Sequence, residues 1–292
     1  MASLKETKNR IASVRSTLKI TSAMKLVASA KLRKAQAAIE GMLPYKNALT
    51  LTLERALDGG SVPESMAKYY AKRASGKVVL IVVSSNTSLC GAFNANVIRT
   101  ARERIAALSA EGRAVEVYSI GRKAADSMRL LGYPSPGDFH SLSDKPNYEG
   151  ASSIAESLME AFAEGRIDGV EILYNHFVST SSQKVLRETF LPLPEEKTGS
   201  EQESQDTEER YIFEPGKEGI IEELLPKTMK LKLFSALLDS LAAEHAARTV
   251  AMQTASDNAE DLLRELSLEY NKGRQQKITS EILDLASGAE RD

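Results

Sequence analysis

Tryptophan is absent, cysteine occurs once, and aromatic residues make up 5% of the 292-residue chain. The lone Cys90 excludes an intramolecular disulfide and any zinc site built on clustered cysteines. So few rings argue against an aromatic core and for Ala- and Leu-rich helices, which need few of them. The longest purely apolar run, Val78–Val83, is about a third of what a membrane-spanning helix requires. No charged segment followed by an apolar one opens the chain, so no secretory signal is expected. The Lys-, Ser- and Ala-rich composition of residues 1–40 faintly suggests a transit peptide, but Glu6 and a regular apolar register argue against one. The expected compartment is the cytoplasm.

Absences of chemistry follow. The loop after Val78–Val83 has neither G-x-G-x-x-G nor G-x-x-x-x-G-K-[ST], so the glycines and lysine that cradle phosphates are missing. His140, His176 and His245 show no H-x-x-x-H or H-x-H spacing, which argues against a histidine metal site. Cys90 could be a nucleophile beside a histidine, but a single thiol in a Ser-rich loop more often fills a small buried space. No catalytic constellation, cofactor site or metal site is expected.

What is present is ordinary hydrophobicity, 42%, and 27% charged residues, excluding a wholly disordered chain. The net charge of −2 hides segregation. Residues 1–40 hold nine cations and two anions, 9 − 2 = +7, whereas residues 195–223 hold three cations and eleven anions, 3 − 11 = −8. Charged partners at different places on the molecule would use this asymmetry; two solvated faces would equally produce it.

From Leu4 the chain carries a 3-4 spacing through Thr7, Ile11, Val14, Leu18, Thr21, Lys25, Ala28, Leu32, Ala35, Ile39 and Met42, and nine of these twelve positions are apolar. Such persistence predicts a coiled-coil seam. Gly41 and Pro44 predict a kink, after which Leu49, Leu53 and Leu57 continue the helix to Asp58. After Pro226 a second long helix is predicted to about Ser287, striped by Leu231, Phe234, Leu238, Leu241, His245, Arg248, Met252, Ala255, Ala259, Leu262 and Leu266. Sixty helical residues would be roughly 90 Å long, too deep for one globular core, so the two terminal helices are expected to pair antiparallel. Lys25, His245 and Arg248 break the apolar rule. They either snorkel or shift the register, or they touch a partner surrounding the coil.

The middle of the chain changes period. Val78–Val83 reads as a buried parallel strand, Val115–Ile120 and Val170–Phe177 as two more, and Lys184–Leu193 as a strand solvated on one side. Helical stripes lie between them at Val97–Leu108, Ala124–Leu131 and Ile154–Phe162. Alternating strands and helices predict a Rossmann-like, doubly wound α/β domain over residues 75–215. Residues 1–58 and 227–292 form the antiparallel coiled coil, and residues 195–210 read as an acidic mobile loop.

Three stretches together resemble the gamma-subunit family of rotary ATP synthases. They are Arg10–Gln36, with TSAMKLVASAKL inside it; the loop Leu89-Cys90-Gly91-Ala92-Phe93-Asn94; and Glu244–Ala259, with AARTVAMQTASDNA, followed by Tyr270–Glu281. The resemblance spans essentially the whole chain. It implies a shaft of paired terminal helices inside a hexamer of alpha and beta subunits, and an α/β foot that meets the epsilon subunit and the membrane c-ring. It implies a non-catalytic rotor of the proton-translocating ATP synthase, peripheral to the cytoplasmic face of a bacterial inner membrane. No cofactor and no nucleic acid are implied. Positions matching the family's contacts with beta are Met24, Lys25, Leu89, Cys90, Gly91, Arg248, Arg274, Gln275, Thr279 and Glu281. Tyr211 and Glu214 match the segment that meets the ring.

The chain departs from the family at Ser85-Asn86-Thr87-Ser88, where Ser-Asp-Arg-Gly is usual, so one carboxylate and one guanidinium are gone. Thr249 follows Arg248 where Met is common. The plant-type insertion with its regulatory cysteine pair is absent. Two other readings compete: a nucleotide-binding α/β enzyme with a coiled-coil arm, and a coiled-coil DNA-binding protein using the basic end.

Overall fold

The computed structural model describes residues 4–57, 62–73, 76–194, 214 and 216–289, with side chains described as far as residue 283. The elements in chain order are α1 (Leu4–Leu57), α2 (Glu64–Ala67), β1 (Val78–Val83), α3 (Phe93–Ala110), β2 (Val115–Ile120), α4 (Arg122–Leu130), α5 (His140–Asp144), α6 (Tyr148–Ala163), β3 (Gly169–Ser179), β4 (Ser182–Leu191) and α7 (Lys217–Ala289). Contacts divide the chain into two units, Met1–Ala30 with Arg248–Asp292, and Lys31–Ala247.

The larger unit is a four-stranded sheet in the order β2-β1-β3-β4. β1 pairs parallel with β2 and β3, and β4 returns antiparallel on the edge of β3. All six side chains of β1 are buried because both faces of the sheet are covered. Val78, Leu80 and Val82 pack with Val97, Ala101, Ile105 and Leu108 of α3 and with Ala124 and Met128 of α4. Val79, Ile81 and Val83 point the other way, into a core with Ile154, Leu158 and Phe162 of α6. A β-branched run without alternation is the expected result.

That second core explains where α7 starts. The sequence reading placed the helix start after Pro226, but α7 begins at Lys217 and carries Pro226 inside it. Ile221, Leu225, Met229, Leu233 and Leu237 recur at helical spacing and are buried in the same core as Leu53 and Ala56 of α1. An interior proline costs about 3 kcal/mol or more, and burying apolar side chains on both sides of Pro226 offsets it. At Gly41 and Pro44 the helix continues as expected, since α1 runs through both to Leu57. Pro44 lies on the exposed side, where water can take the carbonyl that its missing N–H leaves free. The expected acidic loop, 195–210, lies outside the described residues.

The smaller unit is the pair formed by the start of α1 and the end of α7. Leu4 meets Gly273, Thr21 meets Ser256, and Lys25 meets Gln253, so the two helices run antiparallel. Every α1 position of the predicted stripe is buried or half-buried, from Leu4 to Met42. On α7 the covered row includes Met252, Ala255, Ser256, Ala259, Leu263, Leu266 and Tyr270, whereas Leu262 is exposed. The predicted stripe holds at Met252, Ala255, Ala259 and Leu266, with Ser256 also covered, and Leu263 takes the place expected of Leu262. Ser256 stands opposite Thr21, where the two buried hydroxyls are 2.8 Å apart and satisfy each other.

Candidate protein-contact surface

The described candidate residues fall into three groups. Met24 and Lys25 lie on α1 beside the Arg248–Gln253 turn of α7. Both are half-buried, and Lys25 Nζ donates to Gln253 Oε1 at 2.8 Å. Arg248 and His245 are buried on α7, Arg248 at the start of the smaller unit and His245 within the larger. Lys25 therefore extends its amine along the seam to a polar partner while its stem is covered. Next to it, Thr21 Oγ1 donates to Leu18 O at 3.1 Å, and the Ser256 hydroxyl lies 2.8 Å away as the donor to Thr21.

The second group, Arg274, Gln275, Thr279 and Glu281, sits farther along α7. The 21 residues from Gln253 to Arg274 cover about 32 Å of helix, so the two groups are separate. All four side chains are exposed. Thr279 Oγ1 donates to Gln275 O at 2.9 Å, and Glu281 lies 3.6 Å from Lys277. Ile278, Ile282 and Leu283 are exposed beside them.

The third group is the loop after β1, in the larger unit. Leu89 is 60% exposed and has a positive φ of 66°, which is strained for a branched side chain. Cys90 is buried, packed with Phe93, Phe177, Ala243 and Ala247, as a small core residue. Gly91 takes a φ of 58°, which glycine adopts at little cost. Asn94 braces the loop from below: its Oδ1 accepts from Ser85 N at 3.0 Å, and its Nδ2 lies 2.7 Å from Ser85 Oγ.

At the other side of this loop, the start of α4 is filled rather than open. Arg122 N donates to Asn86 Oδ1, Lys123 N to Ser85 O, and Ala124 N to Ser84 Oγ. A helix N-terminus binds phosphate through free N–H groups, and these are engaged by the loop itself. Gly121 makes this closeness possible, because a Cβ there would lie 2.1 Å from Ser84 O. Among the described residues no group of His, Cys, Asp and Glu is arranged to hold a metal ion, and no helix is long and apolar enough to cross a membrane. Glu214 is exposed, and Tyr211 lies outside the described residues.

Sequence reasoning missed two features of the helix pair. Ile20 and Val27 are each 57% exposed, and with Met24 they form a short apolar ridge off the seam. Leu26, at 68%, widens it. The 4-3 spacing of residues 20, 24 and 27 was the available signal. Lys19, Lys31, Arg33 and Lys34 are exposed on the flanking turns. The second feature is charge on α7: residues 257–269 carry five anions and one cation, and the anions Asp257, Glu260, Asp261, Glu265 and Glu269 are all exposed.

Residues 3–291 match the family model described as ATP synthase. The ATP synthase gamma chain of Phocaeicola vulgatus is 51% identical over 294 residues, covering 99% of both chains. That of Bacteroides thetaiotaomicron is 47% identical over 298 residues, again with 99% of both chains covered. A chain in the rotor of the Euglena gracilis mitochondrial ATP synthase, 20% identical, shares the fold with a TM-score of 0.61 over 94% of this chain and 98% of that one. Similarity of this extent, running through both terminal helices and the sheet between them, means that the chain belongs to the ATP synthase gamma-chain family.

Proposed function

We propose that the chain is the central-stalk rotor of a proton-translocating ATP synthase, without a catalytic site of its own. The paired terminal helices act as a shaft within a hexamer of alpha and beta subunits. The α/β body acts as the foot toward the epsilon subunit and the membrane c-ring. Turning an asymmetric shaft biases each beta subunit through its nucleotide states in succession, an interface-switching mechanism. The complex works at the cytoplasmic face of a bacterial inner membrane, and the organisms of its named relatives support this placement.

The observation that carries the reading is an outward apolar ridge, Ile20, Met24 and Val27, on a helix pair whose seam is filled by other residues. Apolar side chains exposed next to a complete seam fit a surrounding bearing surface. Exposed cations on the flanking turns would favour acidic lever segments on beta without demanding one rotational register. Lys25, Arg248, Arg274, Gln275, Thr279 and Glu281 are the proposed polar grips, Leu89–Gly91 the lever contact, and Tyr211 and Glu214 the ring-side contacts. Replacing Arg248 and Gln275 together by Ala should lower ATP synthesis in membrane vesicles more than it lowers assembly. Unchanged synthesis would remove both from the grip, and robust ATP turnover by the purified chain alone would overturn the rotor assignment.

A further inference from the structure

The side chain of Asn86 uses both of its N–H donors and its carbonyl oxygen. Its Nδ2 donates to His140 O and to Asp144 Oδ2, both at 2.8 Å, while its Oδ1 accepts from Arg122 N at 2.9 Å. One amide therefore ties the loop after β1 to the first turn of α4 and to both ends of α5. A carboxylate could keep the bond from Arg122 N, but its second oxygen would face a carbonyl and the Asp144 carboxylate, both acceptors. The network demands an amide.

Asn86 and Asn94 hold opposite ends of the segment 87–91. Asn94 grips Ser85 and lies 3.2 Å from Cys90 Sγ, and Cys90 is locked into the core. Between these anchors Leu89 takes its left-handed conformation and points outward, followed by Gly91, also left-handed. A branched side chain at positive φ persists only when its surroundings over-determine it. We infer that Asn86 is a positioning residue that sets where Leu89 stands, and that this chain presents its lever contact through an amide lock with Asp144. The inference rests on the reading that Leu89 touches the hexamer.

The test uses the assembled ATP synthase in membrane vesicles. Asn86→Asp should lower ATP synthesis and raise amide hydrogen exchange over residues 87–91. Losing about one net hydrogen bond corresponds to roughly tenfold faster opening. Exchange in β1 should stay as it was. Asn86→Asp combined with Asp144→Asn restores a donor–acceptor pair and should recover synthesis and slow exchange. Asn86→Ala, which adds no charge, gives the second variant and should reproduce the exchange increase. In a Leu89→Ala background, Asn86→Asp should cause no further loss, because Asn86 acts through Leu89. The inference is overturned if Asn86→Ala leaves exchange over 87–91 unchanged, or if Asn86→Asp lowers synthesis by the same factor in both backgrounds. Leu89→Ala alone leaving synthesis intact would instead overturn the lever contact, while the exchange data still judge the lock.

Discussion

All six side chains of β1 are buried, whereas between Leu4 and Ala30 of α1 only Thr7, Thr21 and Ala28 are. The sheet body spends its branched apolar residues inward on two faces. The helix pair meets along a narrow row whose buried residues include Thr7, Thr21, Ala28, Ser256 and Ala259 beside Met252 and Leu266, and it leaves other large apolar residues such as Leu26 and Val27 outside. The body is thus built for its own stability, and the pair is built for a partner. Ala, Thr and Ser places in that row let the two helices approach closely but remove less apolar area from water per residue than the sheet core does.

Mutations can break that contrast, and the largest effect should come from the body. Phe162→Ala empties a fully buried site in the core shared by α6 and β1, and should cost about 4 kcal/mol in chemical denaturation. A cost near that of a seam residue would erase the distinction. Arg104→Ala comes next. Its guanidinium meets Glu171 through two bonds, Nε at 2.9 Å and Nη2 at 2.6 Å, with both side chains largely covered. Removing it leaves the carboxylate with the more distant Arg187, 4.0 Å away, for an expected loss of about 2 kcal/mol, while Glu171→Gln should lose less.

In the seam, Thr21→Val with Ser256→Ala removes both hydroxyls of the buried pair. The expected change is under about 1 kcal/mol, because deleting both partners leaves no unmet group except the local bond to Leu18 O. A loss above about 3 kcal/mol would mean that the polar pair, rather than close helix approach, holds the seam. The smallest effect is a pH slope. Burial and the hydrogen bond to Glu188 at 2.6 Å hold the Tyr174 phenol above its ordinary value of 10.0. Below that value both folded and unfolded states keep the proton; above it the unfolded chain ionises first. Stability should therefore fall as pH rises past about 10, and Tyr174→Phe should flatten that fall in thermal melts, with Tyr69 and Tyr118 supplying a remainder of the same sign.

Much of this was legible in order of period length. The twelve-position stripe of α1 located the covered face without exception, because one partner helix imposes one repeat over many turns. Strands β1 and β2 were read at their observed bounds, since both lie between clear breakers. Pro226 misled because a proline acts on its own turn, while Ile221 and Leu225 are placed by a core assembled from distant strands and helices. Leu262 misled because 3-4 and 4-3 spacings are equivalent in a helix until a partner chooses between them. For the contact surface, residue types could be named but not grouped. Lys25 and Gln253 are 228 positions apart, and only pairing of the helices brings them to one bond.

By itself the sequence determined the element types, the long helical period and the buried parallel strand, all of which depend on neighbours a few residues away. The tertiary structure alone decided that α7 begins at Lys217, that Ser256 rather than Ala255 faces Thr21, and that Asn86 joins α4 to α5. Each of those outcomes compares a local cost with burial or hydrogen bonds supplied by a remote segment, and such comparisons have no value until the chain is folded.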